Sequence, residues 1–235
     1  MTACEIVAAV KRSELPTILV EGVQDKQALR LLDSLTGKKG KVLSCSGRNN
    51  LFKVWERRGE FAGKRIAFLA DRDLYVIKRI PAEFKGIIFT DGYSLENDML
   101  ESKRWMSLQD AVDKLHYDKM TKLNIDHFWV QTRTFIDTGT SPQWMSAHSL
   151  KENNFVLSPH EKLKQSKCGL YRRISSNPIR YIRGKNVLHA VHYSLSHKMR
   201  HVKYRPEQIM EMCTMPKPKG KMRMLLNKIR SEIIN

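Results

Sequence analysis

At 235 residues and 41% hydrophobic content, the chain is long enough to bury a core and ordinary enough in composition to be globular. No apolar run reaches the ~18 residues a bilayer span needs, and the amino terminus, MTACEIVAAVKR, carries Glu5 with no basic stretch ahead of its apolar patch, so neither a membrane span nor a signal peptide is expected. The net charge of +18 is uneven, with 23 Lys and Arg against 19 Asp and Glu in residues 1–150 but 19 against 5 in residues 151–235, which points to a polyanion, nucleic acid ahead of an acidic protein or a membrane surface.

In chain order, Thr17 to Val20 (TILV) is predicted to be a short buried strand ending in Glu21-Gly22. Helical spacing follows from Asp25 to Leu35, with Ala28, Leu29, Leu31, Leu32 and Leu35 on the apolar side. The stretch Gly37 to Gly40 breaks the chain, and Lys41 to Cys45 is a second strand. Ser46-Gly47 turns into a helix over 50–58 with Leu51, Val54 and Trp55 inward. Arg65 to Ala70 is a third strand, Gly86 to Thr90 a fourth, and Ser94 an N-cap for a helix reaching Leu100. Short apolar strands alternating with amphipathic helices predict an α/β fold, a mostly parallel sheet flanked by helices.

After Trp105 the texture changes. Residues 106–130, 186–200 and 206–213 read as helical, 137–160 as loop-rich, and PKPKGK at 216–221 as a flexible basic linker or turn. The tail, 221–234, reads as a basic amphipathic helix with Met222, Leu225, Leu226, Ile229 and Ile233 on one side. The expected division is a catalytic core over 1–105 and a mainly helical, strongly basic region over 106–235 that completes the site and binds nucleic acid or a partner.

In parallel α/β sheets, functional groups gather at the carboxyl ends of the strands. Glu21 follows the first strand, Asp71 and Asp73 the third, and Asp91 the fourth, with Glu96 one helical turn further on. Crowded carboxylates raise one another's pKa, and a divalent cation with a taste for oxygen removes that penalty. An Asp-x-Asp on an extended segment points both side chains one way; the alternative is a pair of solvated loop acids with Arg72 as counter-charge. Asp25 is expected to cap its helix more readily than to hold a ligand, and Asp91 to cap the turn before Tyr93. Asp98 is a further candidate.

The segment YRRISSNPIRYIRGK at 171–185 interleaves Tyr171 and Tyr181 with Arg172, Arg173, Arg180 and Arg183. Arginine grips phosphate bidentately and tyrosine stacks on bases, so an RNA-binding groove beside the acid rim is expected; the alternative is a solvated helix with its tyrosines packed inward. The spacings of His189, His192, His197 and His201 suit zinc only in the abstract, since no Cys or acid sits among them. The four cysteines form no C-x-x-C pair, so a reducing cytoplasm is the expected setting. No P-loop is present; GKKGK at 37–41 lacks its spacing, so the chain is not expected to hydrolyse ATP, and any ATPase it works with would be another polypeptide.

ILVEGVQDKQAL followed by FLADRD resembles the TOPRIM domain shared by primases, type IA and II topoisomerases and several nucleases. That pattern is a hydrophobic strand ending in Glu-Gly, then a strand ending in Asp-x-Asp, matched here by Glu21-Gly22 and by Asp71 and Asp73. SCSGRNNLFKV (44–54) resembles the Gly-rich turn between the motifs in nucleases of the OLD (overcoming lysogenization defect) group. TDGYSLENDML (90–100) resembles their third acidic motif, its helical Glu being Glu96. IRGKNVL (182–188) resembles their later Gly-Lys motif, its lysine being Lys185; where that motif has Asp after Lys, this chain has Asn186.

The sequence also resembles the AriB-like TOPRIM effectors of the PARIS anti-phage systems, over about 15–105 and more loosely at 180–190. The resemblance implies a toxic metal-dependent endonuclease acting on RNA, tRNA in particular, in abortive infection, and released by an AriA-like ATPase partner. It also implies Mg²⁺ (or Mn²⁺) held by Glu21, Asp71, Asp73 and Glu96, with Glu21 assisting as base and Lys185 neutralising transition-state charge. A homodimer is expected to grip substrate. The alternatives are a housekeeping RNA-processing TOPRIM nuclease, a DNA nuclease, or a non-catalytic binding and regulatory subunit of an ATPase.

Overall fold

The computed structural model describes residues 1–30, 40–101, 114–196, 203–214 and 219–234. Four parallel strands, β1 (Thr17–Val20), β2 (Lys41–Ser44), β3 (Ile66–Ala70) and β4 (Ile88–Phe89), form a sheet in the order β2-β1-β3-β4. Every residue of β1 is buried, as a central parallel strand requires. Successive side chains alternate between two cores: Ile18, Val20, Ala67 and Leu69 enter one, Leu19, Phe68 and Ala70 the other. From β1 the chain moves outward to β2, then returns past β1 to β3, and from β3 moves outward to β4. The first two crossovers run in opposite directions, so their helices cover opposite faces, α2 (Val23–Arg30) with the first core and α3 (Arg48–Glu56) with the second.

A helix not foreseen in the sequence, α1 (Ala3–Lys11), closes the second core. Its start is a reciprocal cap: the Glu5 amide donates to Thr2 Oγ1 at 3.3 Å, and the Thr2 amide to Glu5 Oε2 at 2.8 Å. Ile6, Val7 and Val10 are buried in the cluster that holds Leu51 and Val54, each worth about 1.5–3 kcal/mol of burial. The signal was legible as Thr-x-x-Glu before an apolar face.

The first core extends well beyond the sheet. Besides α4 (Leu95–Leu100) it takes side chains from α5 (Lys114–Thr138), α8 (Gly169–Ser176), α10 (Gly184–Leu195), α11 (Pro206–Thr214) and α12 (Gly220–Ile234). Phe128, Trp129, Val191, Met222 and Ile229 thus share one apolar interior with Ile18 and Leu69. The intervening helices are α6 (Ala147–Glu152), α7 (Pro159–Ser166) and α9 (Pro178–Tyr181), here numbered in chain order.

Several expected boundaries move. The fourth strand is two residues long rather than five: Gly86 turns at φ 105°, and the Ile87 amide donates to the Phe84 carbonyl of the preceding turn at 3.0 Å. The loop expected over 137–160 contains α6 and the start of α7, whose serines at the caps, Ser146 and Ser158, accept from Ser149 and Glu161 amides. Gly220 and Lys221, expected in a flexible linker, open α12. Residues 31–35 of the predicted second helix, 37–39 of GKKGK, 106–113, 197–200 with His197, His201, and 216–218 lie outside the described residues. Among the described residues, no helix is long and apolar enough to cross a membrane.

Candidate active site

A sheet of order β2-β1-β3-β4 leaves a crevice at the carboxyl ends of β1 and β3, where the chain's direction across the sheet reverses and no crossover fills the space. A cleft of about 530 Å³ lies there. It is lined by Glu21, Asp25, Asp71, Asp73, Glu96, Arg183 and Lys185, with Gly22, Ser46, Gly47, Tyr93, Ser94 and Gly184 among its other walls. The ends of all four strands and a turn from the helical region supply these groups.

Glu21 and Asp71 sit one residue beyond β1 and β3, strands paired in register, and the Asp71 amide donates to Glu21 Oε1 at 2.9 Å. Asp71 Oδ1 accepts from the Leu95 amide at 3.0 Å. Asp73 does not follow the expected extended alternation: it opens a 3₁₀ turn (Asp73–Val76) at φ 47°. Its amide donates to the Tyr93 carbonyl at 2.7 Å, so the backbone of the neighbouring strand's loop fixes this conformation and returns the carboxylate to the cleft. Glu96 is almost fully buried, with Oε2 2.5 Å from Ser94 Oγ. Asp25 both caps and lines: Oδ2 accepts from the Gly22 amide at 2.8 Å at the start of α2, with the side chain on the cleft wall.

Burial dominates the protonation of these acids. It pushes the Glu21 carboxyl up to about 7; Arg48 offsets part of that, and Asp73 and Asp25 add repulsion. Burial and then Glu96 carry Asp25 up to about 6, against the Gly22 amide and Lys185. Asp71 is raised well above the usual carboxylate range, by burial first and then by Asp25, Glu96, Glu21 and Asp73. Asp73 is also raised, burial outweighing Arg48. The cleft is short of positive charge.

Arg48, in the first turn of α3, is a candidate site residue not singled out in the sequence. Its Nη1 bonds Asp73 Oδ2, its Nη2 bonds the Asp71 carbonyl, and its Nε lies 3.3 Å from Glu21 Oε1 without hydrogen-bond alignment. Gly47, at φ 121°, makes the turn that delivers it. The signal was present: SGRNN directly follows β2, at the same sheet edge as the acids.

The Gly-Lys turn is built by close approach. A Cβ at Gly184 would collide with Ser94 Oγ and lie 2.6 Å from Asn97 Oδ1, so only glycine lets the start of α10 reach α4. Asn97 Nδ2 ties the same turn down by bonding the Ile179 and Ile182 carbonyls. Lys185 is thereby held, exposed, on the cleft wall. Asn186 points elsewhere: its Nδ2 donates to Asn124 Oδ1 at 2.8 Å and the Met145 carbonyl at 2.9 Å, joining α10 to α5.

The other predicted residues divide. Arg183 lines the cleft. Asp91 is absent from its lining; it pairs with Lys221 at 3.0 Å and Arg180 at 3.4 Å. Burial works to raise its carboxyl, but those cations hold it below the usual range. Asp98 accepts from the Gly92 and Asp91 amides at 2.7 and 2.9 Å and so builds the turn before α4. Tyr171 packs edge-on against Trp129 and bonds Asp126, the inward-packed alternative. Tyr181 is half-buried, with the Arg173 and Arg180 guanidinium carbons 5.7 and 6.0 Å from its ring centroid. Arg172 is exposed. The His189 and His192 rings lie 6.4 Å apart.

The donor chemistry fits a hard divalent cation: oxygen ligands only and crowded, with Glu21, Asp25, Asp71 and Asp73 raised above the ordinary carboxylate range. Among the described residues, however, no three Asp, Glu, His or Cys groups stand close enough to share an ion as they lie, and Arg48 fills the space between Glu21 and Asp73. What fold and site define is thus an α/β protein with an acid-lined crevice at the switch point of a parallel sheet. In comparison with known proteins, no family model matches the sequence and no curated protein is similar to it.

Proposed function

We propose that the chain is a metal-dependent TOPRIM endonuclease, similar to the AriB-like effectors of anti-phage defence, that cleaves RNA, tRNA foremost. The observation that carries this is the meeting of Glu21, Asp71, Asp73, Glu96 and Lys185 in one cleft, from segments far apart in the chain. Glu21, Asp71, Asp73 and Glu96 are the residues that would hold Mg²⁺ or Mn²⁺, which when bound supplies an activated water and a partner for the leaving oxygen. Lys185 and Arg183, in the same cleft, bind the scissile phosphate and neutralise its growing charge. Glu21 also serves as the general base that takes up a proton from water. The basic surface around Arg172, Arg173 and Tyr181 carries the flanking RNA. In this reading an AriA-like ATPase partner restrains the enzyme in the cytoplasm until an invader is sensed.

The test is incubation with total RNA and plasmid DNA, in Mg²⁺ or Mn²⁺ and then EDTA. Cleavage of RNA that stops with EDTA supports the proposal; no cleavage of either polymer under any ion refutes it. A second reading, a non-catalytic subunit that binds or regulates an ATPase, is favoured by one contact: Arg48 already neutralises part of the acid set, as a structural cluster would need. Under that reading Glu21→Ala leaves partner binding and cellular effect intact.

A further inference from the structure

We infer that Arg48 is a displaceable counter-cation: it keeps Glu21 and Asp73 in place, competes with the divalent ion for them, and is freed for the substrate phosphate when the ion enters. The inference rests on the metal-nuclease reading. Its basis is the position of the guanidinium, which touches three acid segments at once: Asp73 through Nη1, the Asp71 carbonyl through Nη2, and Glu21 at 3.3 Å from Nε. A guanidinium has no lone pair to offer a metal and stays charged at any working pH, so it cannot share these oxygens with a cation. Either the arginine or the ion holds them.

The binding is also incomplete. Nε has no aligned acceptor, and Arg48, Arg183 and Lys185 together leave the five carboxylates of the cleft under-neutralised. A divalent ion brings twice the charge and takes oxygen directly, so exchange is favoured once the ion is present. The arginine has somewhere to go. Its guanidinium carbon lies 5.4 and 5.7 Å from the Phe52 and Tyr75 ring centroids, a shelf of two rings beside the acids. A recess of about 320 Å³ lined by Ser46, Gly47, Arg48, Asn49 and Asn50 opens next to it, and Ser46 and Gly47 line the acid cleft as well. A side chain that pivots on this shelf stays at the cleft mouth, where its planar fork suits a phosphate.

The experiment uses the full chain and metal alone. Mn²⁺ is titrated against wild type, Arg48→Met and Arg48→Lys, with free Mn²⁺ read by electron paramagnetic resonance and folding checked by thermal melting. Arg48→Met keeps an aliphatic stem on Phe52 and Tyr75 without charge, and it is expected to bind Mn²⁺ about tenfold more tightly than wild type. Arg48→Lys, whose ammonium cannot span both carboxylates, is expected to bind about threefold more tightly, and it serves as the test if the methionine variant does not fold. With Mn²⁺ present, a single-stranded phosphorothioate oligonucleotide is expected to bind Arg48→Met several-fold more weakly than wild type. Mn²⁺ affinity equal to or below wild type in the variants overturns the inference and leaves the nuclease reading standing. Absence of Mn²⁺ binding in all three proteins overturns both.

Discussion

Asp91 and Asp98, which follow β4, and the acids that follow β1 and β3 begin from one sequence signal, a carboxylate near the end of a parallel strand, and meet different fates; Glu96, on the helix after β4, joins the second group in the cleft. After β4, Asp91 pairs with Arg180 and Lys221, and Asp98 accepts two backbone amides. Their charge is used to hold the Asp91–Ser94 turn and to tie α9 and α12 to it. After β1 and β3, Glu21 and Asp73 share a single guanidinium, which reaches Asp71 only at its carbonyl, and all three carboxyls are left raised in pKa; burial raises Asp98 as well, to about 6, but its two amides keep it bonded. A fold gains nothing by burying under-neutralised acids together, so the second group marks the site and the first marks its scaffold.

The sharpest break of that contrast is in cleavage. Glu21→Ala and Asp71→Asn are each expected to lower the rate by at least about 100-fold, whereas Asp91→Asn stays within about threefold; equal losses would erase the distinction. Next is Gly184→Ala, whose added Cβ meets Ser94 and Asn97. It is expected to cost about 1–3 kcal/mol, read as a lowered midpoint in denaturant. Asn186→Ala strips two hydrogen bonds from a buried junction and should destabilise by about 1–2 kcal/mol in the same assay, with metal affinity unchanged.

The pH dependence of stability follows. Glu21 rises to about 7 and Asp25 to about 6 in the folded chain. Between their ordinary values and these, the folded state holds protons that the unfolded state has released. Their contribution to stability is therefore greatest in acid and falls as pH rises from about 4 to 7. Melting of the metal-free protein at pH 5 and 7.5 reads this, and added Mg²⁺ should restore stability at the higher pH. The smallest effect is that of Asp91→Asn on stability, about 0–1 kcal/mol, since its ion pairs are part-exposed.

Much of the sheet was legible because short apolar runs such as TILV and IAFLA admit few alternatives, and the switch-point rule then placed Glu21 and Asp71 together. The details that escaped are set by contacts distant in sequence. Asp73 takes a left-handed backbone because the Tyr93 carbonyl receives its amide. Asp91 leaves the rim because Lys221, 130 positions later, reaches it. Tyr171 turns inward because Trp129 and Asp126 await it across α5. Arg48 was readable in principle, since the rule that picks out acids at strand ends applies equally to a cation there.

The most direct measurement is the anomalous difference map of crystals soaked in Mn²⁺. A peak is expected about 2.0–2.3 Å from carboxylate oxygens of Glu21 and of Asp71 or Asp73, with the Arg48 guanidinium moved off them. A map with no peak in the cleft at saturating Mn²⁺, and Arg48 still bridging Glu21 and Asp73, would contradict the account.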